Sequence, residues 1–460
     1  MLIRFNVKNF LSFHAKVDET SEEFSMIAGK VRSKKEHVFD DGKVKLLKFA
    51  AVYGANASGK SNLVKAIDFM KSTVESGLPS GCADMYCKIE EGNKKKPSYF
   101  EVEIKLKNKY YAYGFEVVLN KGEFLSEWLI ELMPDNKEKL IFNRDIEHGS
   151  YEFGGGFRTK GLAEKLEMYA EDIQDDTGAL FLSIMNKNKK NFYQNHERAL
   201  MLQDVYRWFV NCLNINFPDD LISSYSYMAE TDNIEEICNM IAAFGTGIAD
   251  FQIVDVPDEQ ALSNMPKKGR EELVLVLNKD ADYMKSSLKV KRISHILRTR
   301  KNLFIISIDS DEEVTFKTIK FSHNKNNVLF ELSEESDGTV RILDLLEILF
   351  SEEGKTYVLD ELDRCLHPSL TYKFVETFLK LAERKNIQLI VTTHEARLLD
   401  FDLLRRDEVW FVNKRKGGES DIYSLEEYNA RFDQKIDKAY LEGRYGGVPI
   451  FSTIFPIKEA

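Results

Sequence analysis

The sequence has few cysteines, no long hydrophobic run and no excess of positive charge, and each shortage excludes a class of protein. The five cysteines among 460 residues are scattered, which argues against a disulfide-rich secreted framework. Cys82 and Cys87 lie close together but have no second Cys or His pair nearby, so no zinc site is expected. No run of about 18 apolar residues occurs, so we expect no membrane span. The net charge of −11 argues against a protein that coats nucleic acid through its overall charge.

The remaining composition is that of a globular protein with a large core. Hydrophobic residues make up 43% of the chain and charged residues 30%. At the start, the apolar residues Ile3, Phe5 and Val7 alternate with polar ones, which predicts a strand and not a signal peptide. No internal repeat or low-complexity tract is present. We therefore expect a soluble, cytoplasmic chain of roughly two or three structural units.

One stretch matches the phosphate-binding loop G-x-x-x-x-G-K-[ST] in full. The apolar run 46–53 predicts a buried strand before it. An apolar stripe at helical spacing, Leu63, Ile67, Met70 and Val74, predicts a helix after Lys60. Glycines in such a loop let the backbone wrap around a phosphate, while the loop amides and the helix N-terminus supply donors and a positive dipole. The alternative is a glycine-rich turn that binds nothing.

The loop pattern also assigns roles to polar side chains. Lys60 would reach the β- and γ-phosphates, and the Ser61 hydroxyl would ligate Mg²⁺. The candidate nucleotide-binding residues of this stretch are Gly54, Asn56, Ala57, Ser58, Gly59, Lys60, Ser61 and Asn62.

Two further strands end in residues suited to hydrolysis. The apolar strand Thr356–Leu359 is followed by Asp360, which could hold Mg²⁺ through water, and Glu361, which could orient or deprotonate an attacking water. A second strand, 388–391, leads to His394 at the sheet edge where α/β proteins bind ligands. His394 could sense the γ-phosphate, although a lone histidine is more often structural. The candidate catalytic residues are Lys60, Glu361 and His394, and the candidate metal ligands are Ser61 and Asp360.

A second candidate phosphate-binding helix start lies upstream of the Asp-Glu strand. Ser336, Asp337, Gly338 and Thr339 precede an apolar helix, and a serine and a glycine at that position suit phosphate binding. The placement resembles the signature element of ABC-type ATPases, which contacts ATP held by a second subunit. The alternative is an ordinary helix cap.

Two charged clusters leave alternatives open. Seven basic residues between 285 and 301 could contact nucleic acid or an acidic partner, whereas a solvated helix face is the commoner explanation. They are Lys285, Lys289, Lys291, Arg292, Arg298, Arg300 and Lys301. The acidic stretch 309–313 joins two apolar strands, 303–308 and 315–321. Asp309 and Asp311 resemble the metal-binding element of Toprim nucleases, but no suitable upstream Gly-x-x-x-Glu accompanies them, and an acidic hairpin turn is the alternative.

The order of these motifs resembles the ABC-type ATPases of the SMC/RecN/RecF class. It is most similar to the short AAA-type ATP-binding proteins of bacterial abortive-infection and phage-defence systems, the RloA- and AbiL-like proteins. Matching details are the segments 335–339, 366–368 (Leu-His-Pro) and 440–449. The resemblance implies an α/β fold: an ABC-type P-loop NTPase head, in which a mixed sheet with flanking helices is accompanied by antiparallel strands, with an inserted and mainly helical lobe.

We expect the head to be divided along the chain. Its first part, with the phosphate loop, covers 1–155, and the helical insert covers 156–300. Its second part, with the signature, the Asp-Glu strand and His394, covers 301–420, and a tail over 421–460 packs on the head.

The resemblance also implies ATP and Mg²⁺ as ligands and ATP-dependent head-to-head dimerisation, with larger homo-oligomers left open. Ser336 and Gly338 of one subunit would close on the γ-phosphate bound by Lys60 of the other, with Leu362 and Asp363 at the seam. A separately encoded effector, a nuclease or a toxin, would be controlled in anti-phage defence.

Two departures and two alternatives accompany that interpretation. No glutamine occurs between Lys60 and Gln174, so the Gln loop of the class has no evident position. The signature also departs from the usual Leu-Ser-Gly-Gly, which puts the hydrolysis rate in doubt more than ATP binding. The alternatives are a DNA-repair or recombination ATPase that clamps DNA, which the acidic charge disfavours, and a nucleotide-binding structural protein, which the intact Asp360-Glu361 pair disfavours.

Overall fold

The computed structural model describes residues 1–14, 20–133, 137–157, 161–229, 233–263, 265, 267–286, 290, 292–299, 302–323, 328–427 and 436–441. The strands are β1 (Leu2–Lys8), β2 (Glu22–Ser25), β3 (Val38–Asp40), β4 (Lys45–Leu47), β5 (Phe49–Tyr53), β6 (Ser98–Leu106), β7 (Lys109–Val118), β8 (Glu123–Met133), β9 (Lys137–Asp145), β10 (Ser150–Phe153), β11 (Leu213–Asn216), β12 (Asp250–Asp255), β13 (Arg292–Arg298), β14 (Leu303–Asp309), β15 (Val314–Ser322), β16 (Thr356–Leu359), β17 (Gln388–Thr392), β18 (Val409–Lys414) and β19 (Ser420–Ser424).

The helices are α1 (Lys60–Ser76), α2 (Leu162–Glu171), α3 (Phe181–Asn186), α4 (Lys190–Asn195), α5 (Leu200–Arg207), α6 (Ser226–Ala229), α7 (Ile234–Ala243), α8 (Asp258–Ser263), α9 (Lys267–Ser286), α10 (Asp337–Phe350), α11 (Pro368–Ala382) and α12 (Ile436–Leu441). Within the described ranges, no helix combines the length and the apolar character that crossing a membrane requires.

The chain divides into two compact units. The larger unit comprises Met1–Pro218, Glu352–Asp363 and Val375–Ala460. The smaller unit comprises Asp219–Ser351 and Arg364–Phe374.

The larger unit contains a mixed sheet in the order β11-β16-β17-β5-β18-β19. All neighbours are parallel except β19, which pairs antiparallel with β18. All five residues of β5 are buried, as expected for a parallel strand covered on both faces. Helix α1 follows β5 and buries the predicted stripe of Leu63, Ile67, Met70 and Val74. The predicted strand-loop-helix is therefore confirmed.

The same unit contains a seven-stranded antiparallel sheet, ordered β10-β9-β8-β7-β6-β1-β2. Alternate residues of β6 are buried, among them Val102 and Ile104, as expected for a strand with one face in the core. Phe10 packs against Phe69 of α1 and Phe100 of β6, with ring centroids 5.1 Å apart in both pairs. These aromatic contacts attach α1 to the antiparallel sheet.

The smaller unit contains a four-stranded antiparallel sheet, ordered β12-β15-β14-β13. The predicted strands over 303–308 and 315–321 are β14 and β15, joined by the acidic turn. Asp309 Oδ1 in that turn accepts hydrogen bonds from the N–H groups of Asp311 and Glu313, at 2.9 and 3.0 Å. The stretch is thus the acidic hairpin turn that we gave as the alternative to a nuclease element.

The compact units do not follow the boundaries that we expected from the sequence. Residues 156–218 belong to the larger unit, and β11 pairs in parallel with β16 at the edge of its mixed sheet. Residues 301–351 belong to the smaller unit, because β14 and β15 pair with β13 and β12. The described residues of 156–300 are nevertheless mainly helical, as predicted.

The prediction of a solvated helix face over 285–301 is wrong, because α9 ends at Ser286 and residues 292–298 form β13. Most of the tail motif over 440–449 lies outside the described residues, which end at Leu441 in that region.

Candidate functional site

The phosphate loop connects β5 to α1 in the middle of the mixed sheet. At Gly54, a Cβ atom would lie 2.4 Å from the Val412 carbonyl oxygen, so only glycine fits there. Gly59 has φ +113°, and a Cβ on it would lie 2.4 Å from Ser420 Oγ and 2.8 Å from Ser12 Oγ. Both glycines of the pattern are therefore required by geometry, because neighbouring backbone and side-chain atoms already occupy the space that a Cβ would need.

The interior of the loop contains an unsatisfied polar group. The Ser58 hydroxyl is buried and has no hydrogen-bond partner among the described residues, although such groups are normally paired. Asn56 and Ala57 at the tip are exposed, and Ala57 has a positive φ of 62°. A loop with a buried hydroxyl donor and no Cβ at either glycine fits an anionic ligand such as a phosphate chain.

Lys60 is the buried cation of the site. Its Nζ donates to the carbonyl oxygens of Gly54 at 2.7 Å and Ala55 at 3.2 Å, so its side chain folds back over the loop. Burial lowers the pKa of Lys60 to about 8, although nearby carboxylates, Asp360 first among them, act in the opposite direction. A bound phosphate would place a negative charge in direct contact with this buried ammonium.

The carboxylate pair follows β16 and is fixed from the neighbouring strand. Thr392, at the end of β17, donates from its hydroxyl to Asp360 Oδ1 at 2.5 Å. The same hydroxyl oxygen accepts from the Glu361 N–H at 2.8 Å. Glu361 has a positive φ of 53°, which is uncommon for a residue with a side chain. One threonine hydroxyl thus positions both members of the pair.

A parallel arrangement holds the residues around His394. Thr393 donates from its hydroxyl to Asp363 Oδ1 at 2.6 Å, and this oxygen also accepts from the His394 N–H at 3.2 Å. Partial burial of the imidazole, together with the positive charge of Lys60, lowers its pKa below the usual value, which favours the neutral ring at neutral pH. His394 therefore lies near Lys60 and at the same sheet edge as the carboxylate pair.

Two residues of the site offer oxygen donors for Mg²⁺. No group of three or more His, Cys, Asp or Glu side chains in the described part of the chain could hold a metal ion by itself. Ser61 at the first turn of α1 and the Asp360 carboxylate are both hard oxygen donors, the type that Mg²⁺ prefers. These donors fit a Mg²⁺ ion that takes its other ligands from phosphate oxygens and water.

The candidate signature belongs to the smaller unit. Ser336 caps α10, and its Oγ accepts from the Thr339 N–H at 3.1 Å. Ser336 and Asp337 are exposed, while a Cβ on Gly338 would lie 3.1 Å from the Cys365 carbonyl oxygen. The stretch is therefore an exposed, capped helix start.

The basic cluster is less available to nucleic acid than its sequence indicates. Lys285 pairs with Glu312 at 2.6 Å, and the Arg298 guanidinium is 3% exposed and pairs with Asp344. The nucleic-acid hypothesis is wrong for Arg298, because its charge is buried within its own unit. The members at 289, 291, 300 and 301 lie outside the described residues.

Two serines that no sequence motif indicates support the loop. Ser420 of β19 donates from its hydroxyl to the Ser58 carbonyl oxygen at 2.6 Å, and its N–H donates to the Ser12 carbonyl oxygen at 2.8 Å. Asn62 donates to Ser12 Oγ at 2.8 Å. Ser12 and Ser420 are distant in sequence and part of no recognised motif, so only the fold brings them together.

The fold and the site define a P-loop nucleotide-binding protein. A family model described as "AAA domain, putative AbiEii toxin, Type IV TA system" matches residues 49–162 and 249–400, which is more than half of the chain. The chain belongs to this family of AAA-type ATPases. A comparison with curated proteins gives no match.

Solved structures of SMC head domains are similar over most of the chain at low sequence identity. The SmcHead bound to the C-winged helix domain of ScpA is 13% identical, with 92% of this chain and 97% of that chain covered and a TM-score of 0.42. The SMC head domain of Thermotoga maritima is 13% identical, with 92% and 98% covered and a TM-score of 0.35. The Smc head domain of Pyrococcus furiosus with an extended coiled coil, bound to the C-terminal domain of ScpA, is 15% identical, with 96% and 99% covered and a TM-score of 0.34.

Proposed function

We propose that the protein binds and hydrolyses ATP with Mg²⁺, dimerises head-to-head on ATP, and controls a partner effector in anti-phage defence. The observation that carries the proposal is the group of charges at one sheet edge: Lys60 in the loop with Asp360, Glu361 and His394 nearby. This combination of a buried cation, a metal-binding carboxylate and a candidate base is what phosphoryl transfer to water requires.

The binding step follows from the positions of Lys60 and Ser58 in the loop. The triphosphate would take the Lys60 ammonium from the Gly54 and Ala55 carbonyls and accept hydrogen bonds from the loop amides and the Ser58 hydroxyl.

The hydrolysis step is assigned to Glu361. Its carboxylate would accept a proton from the water that attacks the γ-phosphorus, while the bond from that phosphorus to the β–γ bridging oxygen breaks and ADP leaves with the electron pair. Mg²⁺ held through Ser61 and Asp360 would neutralise the charge that develops on the phosphate oxygens. His394, neutral at pH 7, would donate to or accept from the γ-phosphate region, and so distinguish ATP from ADP.

Dimerisation is assigned to the exposed start of α10. Ser336, Asp337, Gly338 and Thr339 would contact the γ-phosphate of a second subunit, with exposed polar groups at a helix N-terminus as the donors. The test is the molar mass by light scattering, with and without Mg-ATP. Glu361→Gln should accumulate a dimer in ATP, since it binds without turnover, and Lys60→Ala should remain monomeric.

A matched pair of variants tests the interface. Ser336→Arg adds a bulky cation at the proposed contact, and Ser333→Arg adds it to another exposed serine three residues away. In the Glu361→Gln background, the first should abolish the ATP-dependent increase in mass and the second should preserve it. Equal dimerisation by both variants would limit Ser336 to its role as a helix cap.

The defence role rests on the family, whose description names a toxin of a type IV toxin–antitoxin system. Phage should plate with lower efficiency on cells that express the chain together with the product of the neighbouring gene than on cells with either gene alone. Lys60→Ala should remove this protection. Protection that persists with Lys60→Ala would separate the defence role from ATP binding.

A further inference from the structure

Helix α12 inserts an aromatic side chain behind the phosphate loop. Tyr440 is 5% exposed, and its ring lies 5.5 Å from the ring of Tyr53 in an edge-on arrangement and 5.9 Å from that of Phe411, against which it stacks. Tyr53 and Phe411 are neighbouring residues on the paired strands β5 and β18. The ring of Tyr440 therefore packs on the strand that leads directly into Gly54.

The hydroxyl of Tyr440 reaches the first residue of the loop. It accepts a hydrogen bond from the Gly54 backbone N–H. On the following peptide, the Gly54 carbonyl oxygen accepts from Lys60 Nζ at 2.7 Å. Gly54 is thus held through its N–H by Tyr440 and through its carbonyl by the lysine that would bind phosphate.

The same aromatic cluster reaches the segment that contains His394. The Tyr53 hydroxyl donates to the Glu395 carbonyl oxygen at 3.3 Å, and α12 itself packs against the short 3-10 helix 396–398. The Glu395 N–H in turn donates to the Thr393 hydroxyl at 3.0 Å. Through Tyr53, the aromatic cluster around Tyr440 connects the start of the phosphate loop with the backbone that follows His394.

We propose that Tyr440 is a positioning residue for nucleotide binding, whose hydroxyl fixes the Gly54 peptide so that the loop amides and Lys60 are aligned for a triphosphate. The proposal rests on the proposed ATP-binding function. A purely structural tyrosine would need only its ring in this cluster, whereas a buried hydroxyl directed at a loop amide contributes to the geometry of the loop. The ring and the hydroxyl can be separated by substitution.

The test is Tyr440→Phe, with Tyr423→Phe as the matched control. Tyr423 also packs on Phe411, at 5.7 Å between ring centroids, but belongs to β19. Each variant keeps its ring and loses one hydroxyl. The affinities for Mg-ATP and for inorganic tripolyphosphate are measured by calorimetry at a temperature where circular dichroism shows every variant folded.

We expect Tyr440→Phe to weaken both ATP and tripolyphosphate binding about three- to tenfold, the range that corresponds to one neutral hydrogen bond. Both ligands should lose the same factor, because the affected loop contacts only phosphates. Tyr423→Phe should leave both affinities unchanged.

Wild-type affinity in Tyr440→Phe would overturn the proposal, as would an equal loss in Tyr423→Phe or a loss confined to ATP. The wild type and Lys60→Ala distinguish these results from a failure of the proposed function itself. Should the wild type fail to bind ATP, or Lys60→Ala bind it equally well, ATP binding at this loop is wrong whatever Tyr440 does.

Discussion

Thr392 offers the sharpest test of how the carboxylate pair is held, because one hydroxyl contacts both residues. Thr392→Val keeps the side-chain volume and removes the bond to Asp360 Oδ1 at 2.5 Å and the acceptor for the Glu361 N–H at 2.8 Å. A hydrogen bond to a charged group contributes roughly 1.5–3 kcal/mol, and a buried donor that loses its acceptor costs about 1–3 kcal/mol. Since the two losses share one site, we expect the free energy of unfolding to fall by about 2–4 kcal/mol.

The functional loss should exceed what the stability loss explains. Residues that orient a metal ligand typically change metal affinity or activity by about 10–100-fold when mutated. Thr392→Val should therefore raise the Mg²⁺ concentration needed for half-maximal ATP hydrolysis and lower the maximal rate, both by about this factor. The measurements are urea denaturation and phosphate release as a function of Mg²⁺ concentration, and Thr392→Ser should restore most of the activity.

Thr393→Val is the matched control, because Thr393 is equally buried and makes an equivalent pair of bonds to Asp363 and the Glu395 N–H. It should lose similar stability without a comparable change in the Mg²⁺ requirement. An unchanged Mg²⁺ requirement in Thr392→Val, or the same increase in Thr393→Val, would refute the role given to Thr392.

Three further predictions concern the loop, its lysine and the smaller unit. Gly59→Ala should abolish the ATP-induced rise in melting temperature and lower the stability by roughly 1–3 kcal/mol. Gly81→Ala, also at positive φ but in open space, should keep the rise. Retained ATP binding in Gly59→Ala would contradict the requirement for glycine at this position of the phosphate loop. Because the pKa of Lys60 is about 8 and a bound anion raises it, ATP binding should take up about 0.7 proton at pH 8.5 and about 0.1 proton at pH 7. The uptake is measured by calorimetry in buffers of different ionisation enthalpy. Equal uptake at both pH values would exclude Lys60 as the group that takes up the proton. Arg298→Ala should lower the free energy of unfolding in urea by about 3–5 kcal/mol, since it leaves the buried Asp344 without its ion pair. Substitution of the exposed Arg292 by alanine should lower it by less than about 1 kcal/mol. Similar small losses for both variants would mean that the Arg298 pair is not buried in solution.

The parts of the site that the sequence predicts are those encoded within one short segment. The phosphate loop, the strand before it and the helix after it are adjacent in sequence, so spacing alone indicates their geometry. Asp360 and Glu361 follow a recognisable apolar strand for the same reason. The family match supports the class of protein that this motif order indicates.

The parts that the sequence does not predict depend on strand pairing. Ser12 and Ser420 support the loop only because the fold brings segments from opposite ends of the chain to Gly59. Strand β11 has four residues within a helical region, and nothing local indicates its pairing with β16. Arg298 looks like one more surface cation, and its burial follows from the packing of β13 within its own unit.

The most direct test of the account is the rate of phosphate release from saturating Mg-ATP by the wild type and by Glu361→Gln, with ATP binding measured on the same samples. We expect both proteins to bind ATP and the substitution to lower turnover at least about 100-fold, because water activation is lost. Turnover at the wild-type rate by Glu361→Gln, with ATP bound normally, would contradict the assignment of the catalytic base and with it the proposed mechanism.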